Sequence, residues 1–192
     1  MTHKFDPDHA QHLDSTARLQ MLPPEATLRR LGAQAGMRVV DLGAGTGFFT
    51  LPLAGMVGPE GRVWAVDVSP AMLERVRERV RDGGLVNVET VHSSEGEIPL
   101  PAGAADLVLL SSVLHEAEGP VSLLREAGRL LRPGGRVALI EWKAEPTGHG
   151  PPLAERLSPA QVAGYFQEAG LAVLGPAMDL GPGHYGLLAQ RT

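Results

Sequence analysis

The chain is 192 residues long, with 17 Lys and Arg against 22 Asp and Glu, a formal net charge of −5 and no basic stripe, so a nucleic-acid partner is not expected. Hydrophobic residues make up 43% and charged residues 20%, the balance of a globular domain with length for one core, and no window has the apolar length of a membrane span. There is no cysteine, which excludes disulfides, thiolate metal sites and a cysteine nucleophile, and the opening Met1-Thr2-His3-Lys4-Phe5-Asp6 lacks the apolar stretch of a signal peptide, which makes the cytoplasm the expected compartment.

Taken along the chain, helices are expected over 8–21 and 24–35, divided at Pro23-Pro24. His9 and His12 stand i, i+3 on the first, but a metal needs further ligands in reach, so these are solvated histidines and no metal site is expected. Strands follow over 37–42, 62–67, 86–92, 105–111 and 135–142, with helices over 47–57, 70–82 and 119–132 between them. The helix from Pro70 shows the pattern well. Ser69 caps it, Leu73, Val76 and Val80 form its inward stripe, and Gly83-Gly84 stops it. Leu107-Val108-Leu109-Leu110 and Val137-Ala138-Leu139-Ile140 are apolar on both faces, as strands of a parallel sheet covered by helices must be. After a helix over 159–169, strands over 171–174 and 184–189 are joined by Gly/Pro-rich chain too short for a crossover helix, so they should pair antiparallel. The sum is an α/β fold: one domain with a doubly wound, mostly parallel seven-stranded sheet and an antiparallel C-terminal strand.

Two spacings bear on chemistry. The run Asp41-Leu42-Gly43-Ala44-Gly45-Thr46-Gly47 joins an apolar strand to a helix through glycines, which let a ligand lie against the backbone. Dinucleotide folds favour G-x-G-x-x-G, and the third glycine of that pattern would fall on Phe48. About twenty residues on, Asp67 ends a buried strand, where a carboxylate can accept from both hydroxyls of a ribose. Asp67 points to a nucleoside ligand without choosing between cofactors.

The D-L-G-x-G-x-G form resembles the first motif of the class I S-adenosylmethionine-dependent methyltransferases, and the likeness extends from about Met37 to Gln190. Leu130-Leu131-Arg132-Pro133-Gly134-Gly135 is similar to the family's turn before strand five, and Asp106 to His115 to its strand-four motif. Ser93-Ser94-Glu95-Gly96-Glu97-Ile98-Pro99-Leu100 resembles the segment after strand three in the ubiquinone/menaquinone-biosynthesis type, and Glu141-Trp142-Lys143 fits small members of that group. The terminal hairpin resembles the family's last two strands.

The resemblance implies S-adenosylmethionine as cofactor, with S-adenosylhomocysteine as product. It implies cofactor contacts at Asp41, Gly43, Ala44, Gly45 and Gly47 in the first turn, at Asp67, Val68 and Met72 after the second strand, and at Ser94, Glu95 and Ser111. The family often has Asp where this chain has Ser94, so Ser94 or Glu95 would meet the adenine amino group. Asp41 would orient the methionine amino group or cap the glycine turn. His115, after strand four, is the candidate general base for an acceptor that arrives protonated, or else a surface histidine before Glu116. Residues 1–35 would form a helical lid, with Phe5, Leu13 and Leu19 as apolar wall, over a core of 36–192. Trp142 would border the acceptor or pack against strand four. The activity implied is in-line methyl transfer to a small-molecule acceptor; a non-catalytic binding module and an NAD(P)-binding oxidoreductase are the alternatives. A homodimer is open, and arsenite is excluded as acceptor by the lack of thiols.

Overall fold

The computed structural model describes residues 16–94, 96–148 and 150–191. Its framework follows from runs of apolar residues that must be buried on both sides. β1 (Arg38–Leu42), β2 (Arg62–Asp67), β3 (Val88–His92), β4 (Ala105–Ser111) and the first partner of β4 on its other side, β5 (Leu131–Trp142), pair in parallel. β8 (His184–Arg191) then runs antiparallel to β5, and β6 (Leu171–Val173) antiparallel to β8, giving the order β3-β2-β1-β4-β5-β8-β6. Alternate residues feed opposite faces. Val40, Val66, Val108 and Leu110 pack with Leu123, Leu124 and Ala127 of α5 (Pro120–Leu130) and Phe166 of α6 (Pro159–Glu168). Val39, Val63, Leu107 and Leu109 pack on the other face with Leu28 of α2 (Pro24–Arg30) and Leu53 and Val57 of α3 (Thr50–Val57).

The strand order reverses between β1 and β4, so a crevice opens at their carboxyl ends, the place where open α/β sheets bind ligands. The sheet is the one expected, down to the antiparallel pairing near the C-terminus. An eighth, two-residue strand, β7 (Met178–Asp179), was not anticipated; it adds to the end of β8. α4 (Pro70–Asp82) keeps its expected bounds, with Ser69 Oγ accepting from Met72 N at 3.4 Å and Leu73 and Val76 fully buried.

Three expectations are corrected. The helix after the glycine turn starts at Thr50 rather than 47, because Gly47 has φ +88°, outside the helical region. Pro133-Gly134-Gly135 is not a turn before β5 but an outward excursion within it: Leu131 pairs with Ala105, and regular pairing resumes at Arg136 and Leu107. The second helix ends at Arg30, not 35, since Gly32 takes φ +89°. Of the first helix, α1 (Thr16–Met21) is seen; residues 8–15, with Phe5 and Leu13, lie outside the described residues. Leu22, Leu28 and Leu31 are fully buried in the second core cluster.

One contact fixes the crevice. Gly43 has φ +78°, and a Cβ added there would lie 2.3 Å from Cγ2 of Val113, just past β4. The glycine turn and the exit of β4 therefore touch at backbone range. Gly43→Ala should lose about 2–5 kcal/mol of stability in chemical denaturation, from left-handed strain and overpacking together. Adding Val113→Ala should restore only the packing part, leaving the backbone strain of about 1–2 kcal/mol.

Candidate active site

The first side of the crevice is built from the ends of β1 and β2. Gly43 N and Ala44 N donate to Val66 O at 2.8 and 3.0 Å, which stitches the glycine turn to β2. Asp67 completes the seam: Oδ2 accepts from Gly45 N at 2.8 Å and Oδ1 from Ser69 N at 2.9 Å. One carboxylate thus orders the turn after β1 and the start of α4 together. Burial pushes the Asp67 pKa up, against the pull of the backbone N–H groups of Ser69, Gly45 and Val68. Each carboxylate oxygen offers two lone pairs, so acceptor capacity remains for a ligand.

Asp41, on β1, is only 2% exposed. Its Oδ2 accepts from Thr50 Oγ1 at 2.6 Å, across the turn to the first residue of α3. Burial raises its pKa to about 6; the Thr50 hydroxyl opposes the rise, and the nearby Asp67 charge adds to it. Asp41 is thus bonded across the glycine turn to α3. Val68, next to Asp67, is 46% exposed, an apolar side chain held open at the crevice, while Met72 behind it is buried.

The segment after β3 closes that end. Ser94 Oγ accepts from Glu97 N at 3.1 Å and is exposed; Glu95 lies outside the described residues. Two residues of α5 hold this loop. Arg129 donates to Leu100 O and Ile98 O, both at 2.8 Å, and Glu126, paired to Arg129, accepts from Ile98 N at 3.4 Å.

The opposite side is built from β4 and β5. Ser111 ends β4, and Ser112 follows at φ +56°, a left-handed conformation that serine seldom adopts. The hydroxyls of both are buried with no hydrogen-bond partner among the described residues. Ser112 was not singled out from the sequence, where nothing local marks its backbone. His115 follows in a 3-10 turn over Leu114–Glu116, and it is not a surface histidine: its side chain is 4% exposed. Nδ1 lies 2.8 Å from Oε2 of Glu141, which is wholly buried at the end of β5. The pairing was missed from the sequence, although a Glu closing a strand apolar on both faces was a legible signal.

At the end of β5, Trp142 packs against His184 of β8, ring centroids 4.1 Å apart. Arg156 lies 5.4 Å over the same indole and donates to Pro151 O, Lys143 O and Glu145 O. Among the described residues no group of three or more His, Asp or Glu is placed to hold a metal, and no helix is long and apolar enough to cross a membrane. His3, His9 and His12 lie outside those residues.

The residues fit S-adenosylmethionine. A glycine cradle, a carboxylate with spare acceptor capacity and an exposed apolar side chain beside it stand at the carboxyl ends of β1 and β2, and a buried carboxylate and two buried hydroxyls with no hydrogen-bond partner among the described residues stand on β1 and at the end of β4.

Comparison with known proteins agrees. A methyltransferase domain family model matches residues 40–139, half of the chain. The demethylmenaquinone methyltransferase of Geobacillus sp. is 33% identical over 123 residues, 64% of this chain and 52% of that protein. The ubiquinone/menaquinone biosynthesis C-methyltransferase of Vibrio campbellii is 38% identical over 112 residues, 58% of this chain and 43% of that one. The chain spans about half the length of the curated relatives it matches. Among solved structures, a SAM-dependent methyltransferase from Aquifex aeolicus superposes with TM-score 0.94 at 36% identity, covering 98% of this chain and 100% of that one. The [4+2]-cyclase SpnF shares the fold at TM-score 0.74 and 19% identity, over 87% of this chain and 81% of its own. With its glycine turn, its acidic strand ends and its reversed C-terminal strand, the chain belongs to the class I S-adenosylmethionine-dependent methyltransferases.

Proposed function

We propose that the protein catalyses methyl transfer from S-adenosylmethionine to a small-molecule acceptor. The observation that carries this reading is electrostatic. Asp41 and Asp67 flank the glycine turn, Asp67 Oδ2 accepting from Gly45 N at 2.8 Å and Asp41 Oδ2 from Thr50 Oγ1 at 2.6 Å. A crevice floored by two carboxylates suits a ligand bearing sulfonium and ammonium charges and repels the pyrophosphate of a dinucleotide. Phe48, in place of the third dinucleotide glycine, points the same way. A binding module without turnover is disfavoured because His115 and Glu141 form a hydrogen-bonded pair that holding a cofactor does not require.

In this reading Asp67 accepts from the ribose hydroxyls, Val68 and Met72 face the adenine, and Ser94 or Glu95 meets its amino group. Asp41 and Ser111 serve the methionine arm, with Gly43, Ala44, Gly45 and Gly47 giving the backbone approach. When bound, S-adenosylmethionine supplies a methyl carbon made electrophilic by its sulfonium. The chain's own task is to hold an acceptor in line with that carbon, to exclude water and to take a proton where the acceptor carries one, with His115 as the base. Of the expected lid, Leu22, Leu28 and Leu31 belong instead to the core, and the cytoplasm is the compartment in which this chemistry takes place.

Calorimetric titration tests the cofactor: S-adenosylhomocysteine should bind saturably, and NADH and NADPH should not. Binding of a nicotinamide nucleotide alone would overturn the reading. Asp67→Ala should weaken S-adenosylhomocysteine binding by about 1.5–3 kcal/mol, ten- to a hundred-fold. Unchanged affinity would remove Asp67 from the pocket.

Asp41 generates a pH dependence whose sign is fixed. Its folded pKa, about 6, stands above the ordinary 3.8, so the native state binds more protons than the unfolded chain between those values. The stability linked to Asp41 is therefore present below pH 3.8 and is lost as pH rises through 6, roughly 3 kcal/mol in all. Asp41→Asn should raise the ligand-free stability near pH 7.5 by up to that amount in denaturant titrations. The same variant should bind S-adenosylmethionine more weakly and abolish the decline in its affinity below pH 6, where the wild-type carboxyl must lose its proton to receive a cation.

A further inference from the structure

Resting on the methyl-transfer reading, we infer that Glu141 is a positioning residue: it holds His115 as the Nδ1–H tautomer, so that the free Nε2 lone pair is the proton acceptor for a methyl acceptor that arrives protonated and without negative charge. The geometry is specific. Glu141 ends the strand next to β4, and His115 sits in the turn that leaves β4, so both stand at the carboxyl edge of the sheet beside the glycine turn. The contact of Val113 with Gly43 keeps that turn against the cofactor side. Among the described residues, the hydrogen bonds of the carboxylate converge on this turn and its own strand end. Oε1 accepts from Leu114 N at 3.0 Å and His115 N at 3.3 Å; Oε2 accepts from His115 Nδ1 at 2.8 Å and Trp142 N at 3.2 Å.

A carboxylate only accepts, so Nδ1 must carry the hydrogen, and a neutral ring then has its lone pair on Nε2. Two further carboxylates complete the surroundings of the ring. Glu116 Oε1 lies 3.6 Å from Nε2, and Glu155, in the 3-10 turn Leu153–Glu155, acts across from the β5–α6 connection. On β8, Tyr185 is near enough to feel Glu141 and donates its hydroxyl to Leu157 O at 2.8 Å. Burial alone would push the His115 pKa down; its bond to Glu141 and the charges of Glu141, Glu116 and Glu155 more than reverse this, and it stands above the ordinary value. Anionic acceptors are turned away by the same three charges.

The proton step balances. The bond between hydrogen and the attacking atom of the acceptor breaks, its electron pair is the one that bonds the methyl carbon, and the carbon–sulfur pair leaves with sulfur. The proton takes the Nε2 lone pair, which leaves an imidazolium beside Glu141 that later returns its proton to water. A capping role alone would need the Leu114 and His115 N–H contacts but not the contact to Nδ1.

NMR of the imidazole nitrogens, with His115→Asn to assign the signal, tests the pair without any acceptor. The wild type should show the Nδ1–H tautomer and a His115 titration above the ordinary value; Glu141→Gln should lower that titration while S-adenosylhomocysteine affinity changes less than about twofold. Release of S-adenosylhomocysteine, assayed with phenol, 1-naphthol, benzylamine and benzoate, should be absent for benzoate. For an accepted probe, the acid limb of kcat should follow His115 and move to lower pH in Glu141→Gln, with a plateau at least tenfold lower. The double variant should lose little more than His115→Asn alone. An Nε2–H tautomer in the wild type overturns the inference, as does an unmoved titration in Glu141→Gln. Should that variant not fold, Glu141→Asp, which keeps the charge and withdraws it from Nδ1, must still move the titration. Failure of the wild type to bind S-adenosylhomocysteine overturns the methyl-transfer reading instead, and leaves the tautomer measurement standing.

Discussion

The cofactor side depends on one carboxylate accepting from two segments of backbone. Asp67 takes Gly45 N with one oxygen and Ser69 N with the other, so the end of β2 holds both the glycine turn of the first crossover and the N-terminus of α4. Such charge-assisted bonds are about twice as strong as neutral ones. Without them the turn would keep its stitches to Val66 but lose the constraint at Gly45, where the backbone has φ +53° and few residues besides glycine are at ease. The residue proposed to meet a ribose is thus the residue that shapes the cradle.

Asp41 shows the opposite economy. Buried, tied to Thr50 and repelled by Asp67, it stabilises the folded chain less when ionised than when protonated. A carboxylate placed this way costs free energy in the empty protein, and the balance turns only when a cation arrives. Glu141 is likewise wholly buried, yet it is satisfied by four donors, one of them an imidazole. The two acids are held differently: one is buried beside another carboxylate's charge, the other is satisfied by the chain's own donors.

The sheet, the glycine turn, Asp67 and the Ser69 cap were legible in the sequence because each is written in neighbouring residues: two-face apolar runs, a glycine spacing, an acid ending a strand, Ser-Pro before a helical stripe. What escaped depends on partners distant along the chain. Nothing near Ser112 announces its φ of +56°, which the close approach of Val113 to Gly43 accompanies. Pro133-Gly134-Gly135 looks local but serves to re-register β5 on β4, a fact of pairing rather than of turn chemistry. Residue type made His115 a candidate, but only the fold brings Glu141, twenty-six positions later, to its Nδ1.

The two sides of the crevice are also secured by different means, and this bears on what can vary. Turns on the cofactor side are bonded to strand ends through their backbones, so a change there disturbs the sheet itself. Among the described residues, the segment between β5 and α6 has only a 3-10 turn of regular structure, and Arg156 gathers it by donating to three carbonyls while covering Trp142. One guanidinium can hold many loop sequences, because it reads carbonyls rather than side chains. The loop sequence can therefore drift while the sheet edge that carries Asp41, Asp67 and Glu141 stays fixed.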